Sequence, residues 1–198
     1  MSPSSDETGK KLGMWLFLYT EIILFGGLFV LYAVYFNKYT ADFIVAGKEL
    51  DRTFGIINTI ILLISSFAVA ASITAVQKEE KKKAIIALCF SILCGLVFLV
   101  NKYFEWSHKI DHGIYPNSET LLSLPAGQNM FFGLYYIITG LHGIHIILGM
   151  TLLIISLIFV QKENISSSKH ALLENLGLYW HLVDLIWIFI FPLFYLVV

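Results

Sequence analysis

The chain has 198 residues, of which 58% are hydrophobic and 14% charged, and its formal net charge is -1. Soluble domains carry about 25% charged residues, so at a mean hydropathy of +0.78 a purely water-soluble globule is excluded and the bilayer is one of the solvents. The near-zero charge, with no basic cluster interleaved with aromatics, excludes a nucleic-acid binder.

The chain opens with a polar tail, residues 1–11, ending in Lys10 and Lys11. The apolar run Leu12–Phe36 is too long for the core of a signal peptide. It carries Glu21 and has no small-residue cleavage pattern behind it, so it reads as a retained span. Four further runs reach the ~20 residues that a spanning helix needs: Phe54–Val76, Ala84–Trp106, Met130–Val160 and Leu172–Val198. None alternates as a barrel strand does, and lipid offers the backbone no hydrogen bonds, so all are expected to be helices. The expected fold is an all-α integral membrane protein: one five-helix transmembrane bundle over residues 12–198.

Lysine and arginine set the expected orientation. Lys10, Lys11, Lys78, Lys81, Lys82, Lys83, Lys162 and Lys169 fall on one side; Lys38, Lys48, Arg52, Lys102 and Lys109 fall on the other. The positive-inside rule then puts the N-terminus in the cytoplasm and the C-terminus outside. Two longer connections lie outside, residues 37–53 and 107–129, and Gln128 and Asn129 are expected to cap the fourth span. Phe131, Phe132, Tyr135 and Tyr136 fit an aromatic belt at that end. In the last span Pro192 removes one amide donor and is expected to bend the helix modestly. Cys89 and Cys94, five apart in one run, read as small packing residues rather than a disulfide or metal pair.

Ionisable groups inside the spans carry the functional information, because a carboxylate at bilayer depth costs at least ~2.5–3.5 kcal/mol. The first span holds Glu21, with Gly26 and Gly27 placed for close approach of another backbone. The third holds Asn101, Glu105 and His108, spaced for one helical face. The fourth holds His142 and His145; the fifth holds His181 and Asp184, with Trp180 and Trp187 as packing or lipid-facing residues. At ~1.5 Å per residue, Glu21 and His181 both lie about 12–15 Å from the cytoplasmic ends of their helices, and His145 and Asp184 lie near mid-membrane. Glu21–His181 and His145–Asp184 are therefore the candidate neighbours. Three readings of these groups stand side by side: helix-to-helix hydrogen bonding, a proton path, and ligation of haem or metal.

The chain resembles subunit III of the haem–copper respiratory oxidases. The resemblance rests on the segments Tyr179–Trp187 and Thr139–Gly149, with Phe104–His108, Ile57–Ile60 and Thr20–Phe25 matching in the same order. It implies a non-catalytic subunit of the respiratory chain that holds no haem or copper itself; both are expected in partner subunits. The implied contacts are oxidase subunit I directly, subunit II in the same complex, and phospholipid. The implied place is the bacterial inner membrane, and the implied role is support of assembly and of sustained proton uptake. Glu21 falls at the family's buried, carbodiimide-reactive glutamate, and Glu105, His142, His145, His181 and Asp184 fall at recurrent polar positions. The resemblance thereby lowers the metal reading of the histidines.

Two departures are visible. Seven-helix members have two further N-terminal helices, so the match is to the five-helix bacterial form. A histidine pair after the second span of mitochondrial members is replaced by Val76 and Gln77, so its lipid contacts are not transferred. The alternatives are a subunit III-like accessory protein of a nitric oxide reductase and, from another class, a small proton-coupled carrier or a haem-binding membrane protein. A carrier would show a repeat or broken midplane helices.

Overall fold

The computed structural model describes residues 3–167 and 170–197. Residues 1 and 2 of the tail, Lys169 of the loop before the last span and Val198 at the end of that span lie outside the described residues, as does the side chain of Lys10. The described chain is helical: α1 (Pro3–Lys38), α2 (Thr40–Gly47), α3 (Arg52–Gln77), α4 (Lys81–Asp111), α5 (Glu119–Ser123), α6 (Ala126–Gln161) and α7 (Ala171–Tyr195). Five of these are long and apolar enough to cross a membrane, as the hydropathy runs require. The first four of these overrun their runs at both ends and α7 stops at Tyr195, within its run, because a helix end is decided by capping, not by the last apolar residue.

α3, α4, α6 and α7 form the core, each packed against two of the others. Small residues bring α3 and α4 together: the Ser91 hydroxyl donates to the Ser65 carbonyl at 2.9 Å and the Ser65 hydroxyl donates back to the Ser91 carbonyl at 3.3 Å. Such exchanged hydrogen bonds hold helices together where lipid exerts no hydrophobic drive. α7 inserts Trp180 and Trp187, both fully buried, so neither faces lipid. Trp180 donates to Ser65 Oγ at 3.0 Å and lies so close to α6 that a Cβ on Gly149 would sit 2.7 Å from its ring. α1 lies outside this square, against α6 and α7. Its buried residues recur at every seventh position, Leu18, Phe25 and Tyr32, while Trp15, Tyr19, Ile22, Ile23 and Val30 are exposed. α7 continues past Pro192 to Tyr195.

Four local expectations are corrected. Gln128 and Asn129 lie inside α6, which starts behind Pro125, a residue suited to a helix start because it has no amide to satisfy. The cap comes instead from α2, where Asp42 Oδ2 accepts from the Gly127 amide at 3.2 Å. Phe131, Phe132, Tyr135 and Tyr136 are buried against α2, α4 and α7 and form no belt. A Cβ on Gly26 or Gly27 would meet nothing within 4 Å, so within this chain neither serves a close backbone approach. Asn101, Glu105 and His108 do not act as one face: Asn101 donates to Asn58 at 2.9 Å, Glu105 is buried and His108 is exposed.

The α3–α4 and α6–α7 turns share the sequence Val-Gln-Lys-Glu, at Val76–Glu79 and Val160–Glu163. Each glutamate has a positive φ, 60° at Glu79 and 61° at Glu163, closing its helix in a left-handed cap. The turns hold each other. Lys81 Nζ reaches Glu163 at 2.9 Å, and the Ser167 hydroxyl donates to Glu79 at 2.8 Å.

Candidate functional site

Glu21 projects from α1 toward α6 and meets His145, Oε2 to Nε2 at 2.9 Å, with both side chains largely buried. The pairing differs from the expected Glu21–His181 and His145–Asp184, because depth counted along each helix carries nothing of the rotation that turns a side chain toward one neighbour or another. His145 Nδ1 lies 2.8 Å from the Leu141 carbonyl, which can only accept, so Nδ1 carries a proton. Nε2 and the carboxylate oxygen cannot face each other as two lone pairs. One proton therefore sits between them, on imidazolium or on a neutral carboxyl, and the pair as a whole is uncharged. Phe25 packs edge-on to the imidazole at 5.2 Å and Tyr179 OH donates to the His145 carbonyl at 3.4 Å, which fix the ring.

The other expected residues stand apart. His181 Nδ1 pairs with Ser66 Oγ at 2.5 Å, at the edge of an apolar groove of about 550 Å³ walled by Trp15, Tyr19, Leu178 and Leu185. Asp184 is 3% exposed, and neither carboxylate oxygen has a well-formed hydrogen bond among the described residues. The hydroxyl that faces it is that of Ser66, the partner of His181. His142 is fully buried between Trp187 at 5.2 Å and Phe98 at 5.5 Å, with neither ring nitrogen bonded among the described residues. Among the described residues no three of His, Cys, Asp and Glu converge as a metal-binding group.

Glu105 belongs to a second polar centre that the sequence did not reveal. Its carboxylate accepts from Lys102 Nζ at 3.0 Å, from Tyr135 OH at 2.7 Å and from Tyr195 OH at 2.6 Å. Lys102 also donates to the hydroxyls of Tyr135 at 2.9 Å and Tyr195 at 3.2 Å. Its three protons are thereby all used, and the Tyr135 ring lies 4.8 Å beneath the ammonium. In the sequence Lys102 reads as a flanking charge and Tyr135 as part of a belt, and nothing there marks Tyr195. The available signal was a lysine three residues before a glutamate at a depth where a lone charge is expensive.

Comparison with known proteins gives these centres their setting. Residues 4–197 match the family model described as cytochrome c oxidase subunit III. The chain belongs to the cytochrome c oxidase subunit III family. It is 32% identical over 192 residues to a probable quinol oxidase subunit 3 of Staphylococcus saprophyticus, covering 95% of this chain and 89% of the relative. It is 26% identical over 191 residues to the cytochrome bo(3) ubiquinol oxidase subunit 3 of Buchnera aphidicola, covering 96% and 88%. As a subunit III, it is a non-catalytic, multi-pass component of a haem–copper terminal oxidase of bacterial type.

Proposed function

We propose that this subunit III packs beside the catalytic subunit I of a quinol-oxidising, proton-pumping terminal oxidase in a bacterial inner membrane, with subunit II in the same complex. Its work there is to hold phospholipid, support assembly and sustain proton uptake. The observation that carries this reading is the Glu21–His145 pair, which holds one transferable proton at the margin of the bundle, on the helix with the most exposed face. The printed names of the relatives from Staphylococcus and Buchnera support quinol as the electron source. The cytoplasmic placement of residues 1–11 is supported by the burial of Lys102 inside α4, which removes one charge from the outer tally.

A pull-down through a C-terminal tag in mild detergent, with an optical spectrum and metal analysis, tests the reading. Co-purification of larger chains carrying haem and copper is expected, and quinol oxidation by the product identifies the donor. A colourless chain recovered alone overturns the oxidase assembly.

A further inference from the structure

The Asp111 end of α4 and the start of α3 enclose a cavity of about 540 Å³ that the role proposed above leaves unused. Its walls are graded. Glu49, Asp51, His108 and Asp111 lie at the helix ends, where a bilayer meets water, and Phe54 and Phe104 lie deeper along the spans. Glu105 also borders the cavity, but its oxygens are already taken by Lys102, Tyr135 and Tyr195.

Lys109 is the telling residue. It lines the cavity and is only 6% exposed, yet its ammonium makes one hydrogen bond, to the Glu49 carbonyl at 3.0 Å. Its other near neighbours are the Phe132 ring, 5.7 Å away, and the Glu105 and Glu49 carboxylates, which attract it from beyond ion-pair distance. An ammonium has three protons to donate, and leaving a largely buried one under-bonded is costly. The unused donors call for an anionic oxygen. The carboxylates of Glu49, Asp51 and Asp111 around the same mouth repel a ligand that is only an anion. A divalent cation meets Lys109 and, among the described residues, finds no converging set of three donors.

A zwitterion with a phosphate and a primary ammonium satisfies both halves. We propose that this cavity is a headgroup site for an aminophospholipid of the phosphatidylethanolamine type. The phosphate takes the free protons of Lys109, the ammonium donates to the rim carboxylates, and the acyl chains run over Phe54 and Phe104. Charge-assisted hydrogen bonds on both ends make such recognition selective. The proposal rests on the reading that this subunit III holds phospholipid, and it adds the place and the headgroup.

The test uses the whole oxidase complex, exchanged into bilayer discs of equal phosphatidylethanolamine, phosphatidylglycerol and phosphatidylcholine, then re-extracted for native mass spectrometry. Wild type is expected to retain phosphatidylethanolamine about tenfold over the other two, the lower end of what one hydrogen bond to a charged group gives. Asp111→Asn on the exposed rim, a change that leaves the packed interior alone, removes an acceptor for the ammonium and is expected to weaken that preference. Lys109→Met, which keeps the apolar stem, removes the partner of the phosphate, which all three lipids share, and is expected to lower the retention of all three. Equal retention of the three lipids on wild type, a preference untouched by Asp111→Asn, or retention untouched by Lys109→Met in complexes that assemble overturns the proposal. Displacement by free phosphoethanolamine overturns the lipid as occupant in favour of a soluble zwitterion. Absence of any retained phospholipid on wild type overturns the broader lipid reading instead.

Discussion

The two polar centres use similar chemistry to opposite ends. At Lys102–Glu105 a carboxylate and a cation are sealed between α4, α6 and α7, with side-chain exposures of 9% and 4%, and the lysine's three protons and two tyrosine hydroxyls are all engaged. At Glu21–His145 the carboxylate comes from the peripheral helix, the exposures are 14% and 10%, and the bond between the partners holds a single proton that either can keep. With every donor proton committed inside it, the sealed cluster has none free to release, so it fixes geometry. An unsaturated pair at an edge can exchange one. The difference lies in the count of donors and acceptors around each carboxylate, not in which residue types are present.

Breaking the sealed centre has the largest expected effect. Lys102→Met or Glu105→Leu alone leaves an unpaired buried charge and is expected to cost about 3–5 kcal/mol, read as a fall in Tm and in assembled complex. The double variant is expected to recover more than half of that loss, since removing both partners leaves no orphan. If both single variants assemble and melt like wild type, the cluster is not what fixes these helices. Next in size is Tyr195→Phe, which removes one of the three donors to Glu105 and is expected to cost about 1–2 kcal/mol by thermal unfolding.

Glu21→Gln sharpens the contrast from the other side. The amide can still donate to His145 Nε2, so the expected stability loss is under about 1 kcal/mol. Proton exchange is lost, and the variant complex is expected to inactivate sooner during turnover. An infrared difference spectrum is expected to lose the carboxyl or carboxylate signal of Glu21. A Tm loss as large as that of Glu105→Leu would make the two centres equivalent and sink the distinction.

The smallest effect belongs to the exposed pair Lys81–Glu163, where the ammonium holds the glutamate below the usual carboxylate range. A carboxylate with a depressed value contributes stability that is present above its unfolded value and lost as pH falls through the folded one. The contribution of this pair is expected to fade on acidification and on adding salt. A wild-type minus Lys81→Ala difference that persists in high salt would contradict a solvated pair.

Much of the site was legible as residue type and depth. Glu21, His145, His181 and Asp184 stand out because each is ionisable in an apolar run, but depth paired Glu21 with His181 and His145 with Asp184, and the structure joins Glu21 to His145 instead. Which histidine was not legible: His145 and His181 lie on different helices at compatible depths, and a one-dimensional pattern carries no rotation. Lys102 was missed for a related reason. A lysine near a span end ordinarily snorkels to water, and only the arrival of Tyr135 and Tyr195 from two other helices turns it inward. The aromatic run at Phe131–Tyr136 misled likewise, since aromatics suit an interface and a core equally well.

Five apolar helices and their order along the chain follow from the hydropathy pattern, because bilayer thickness and backbone satisfaction leave a long apolar run few other fates, while the polar motifs within the runs carry the likeness to the subunit III family. Only the tertiary structure decided which polar groups meet. Partnering depends on helix neighbours and on the rotation of each helix about its axis. Those are set by how small residues such as Ser65, Ser91 and Gly149 let the helices close around Trp180.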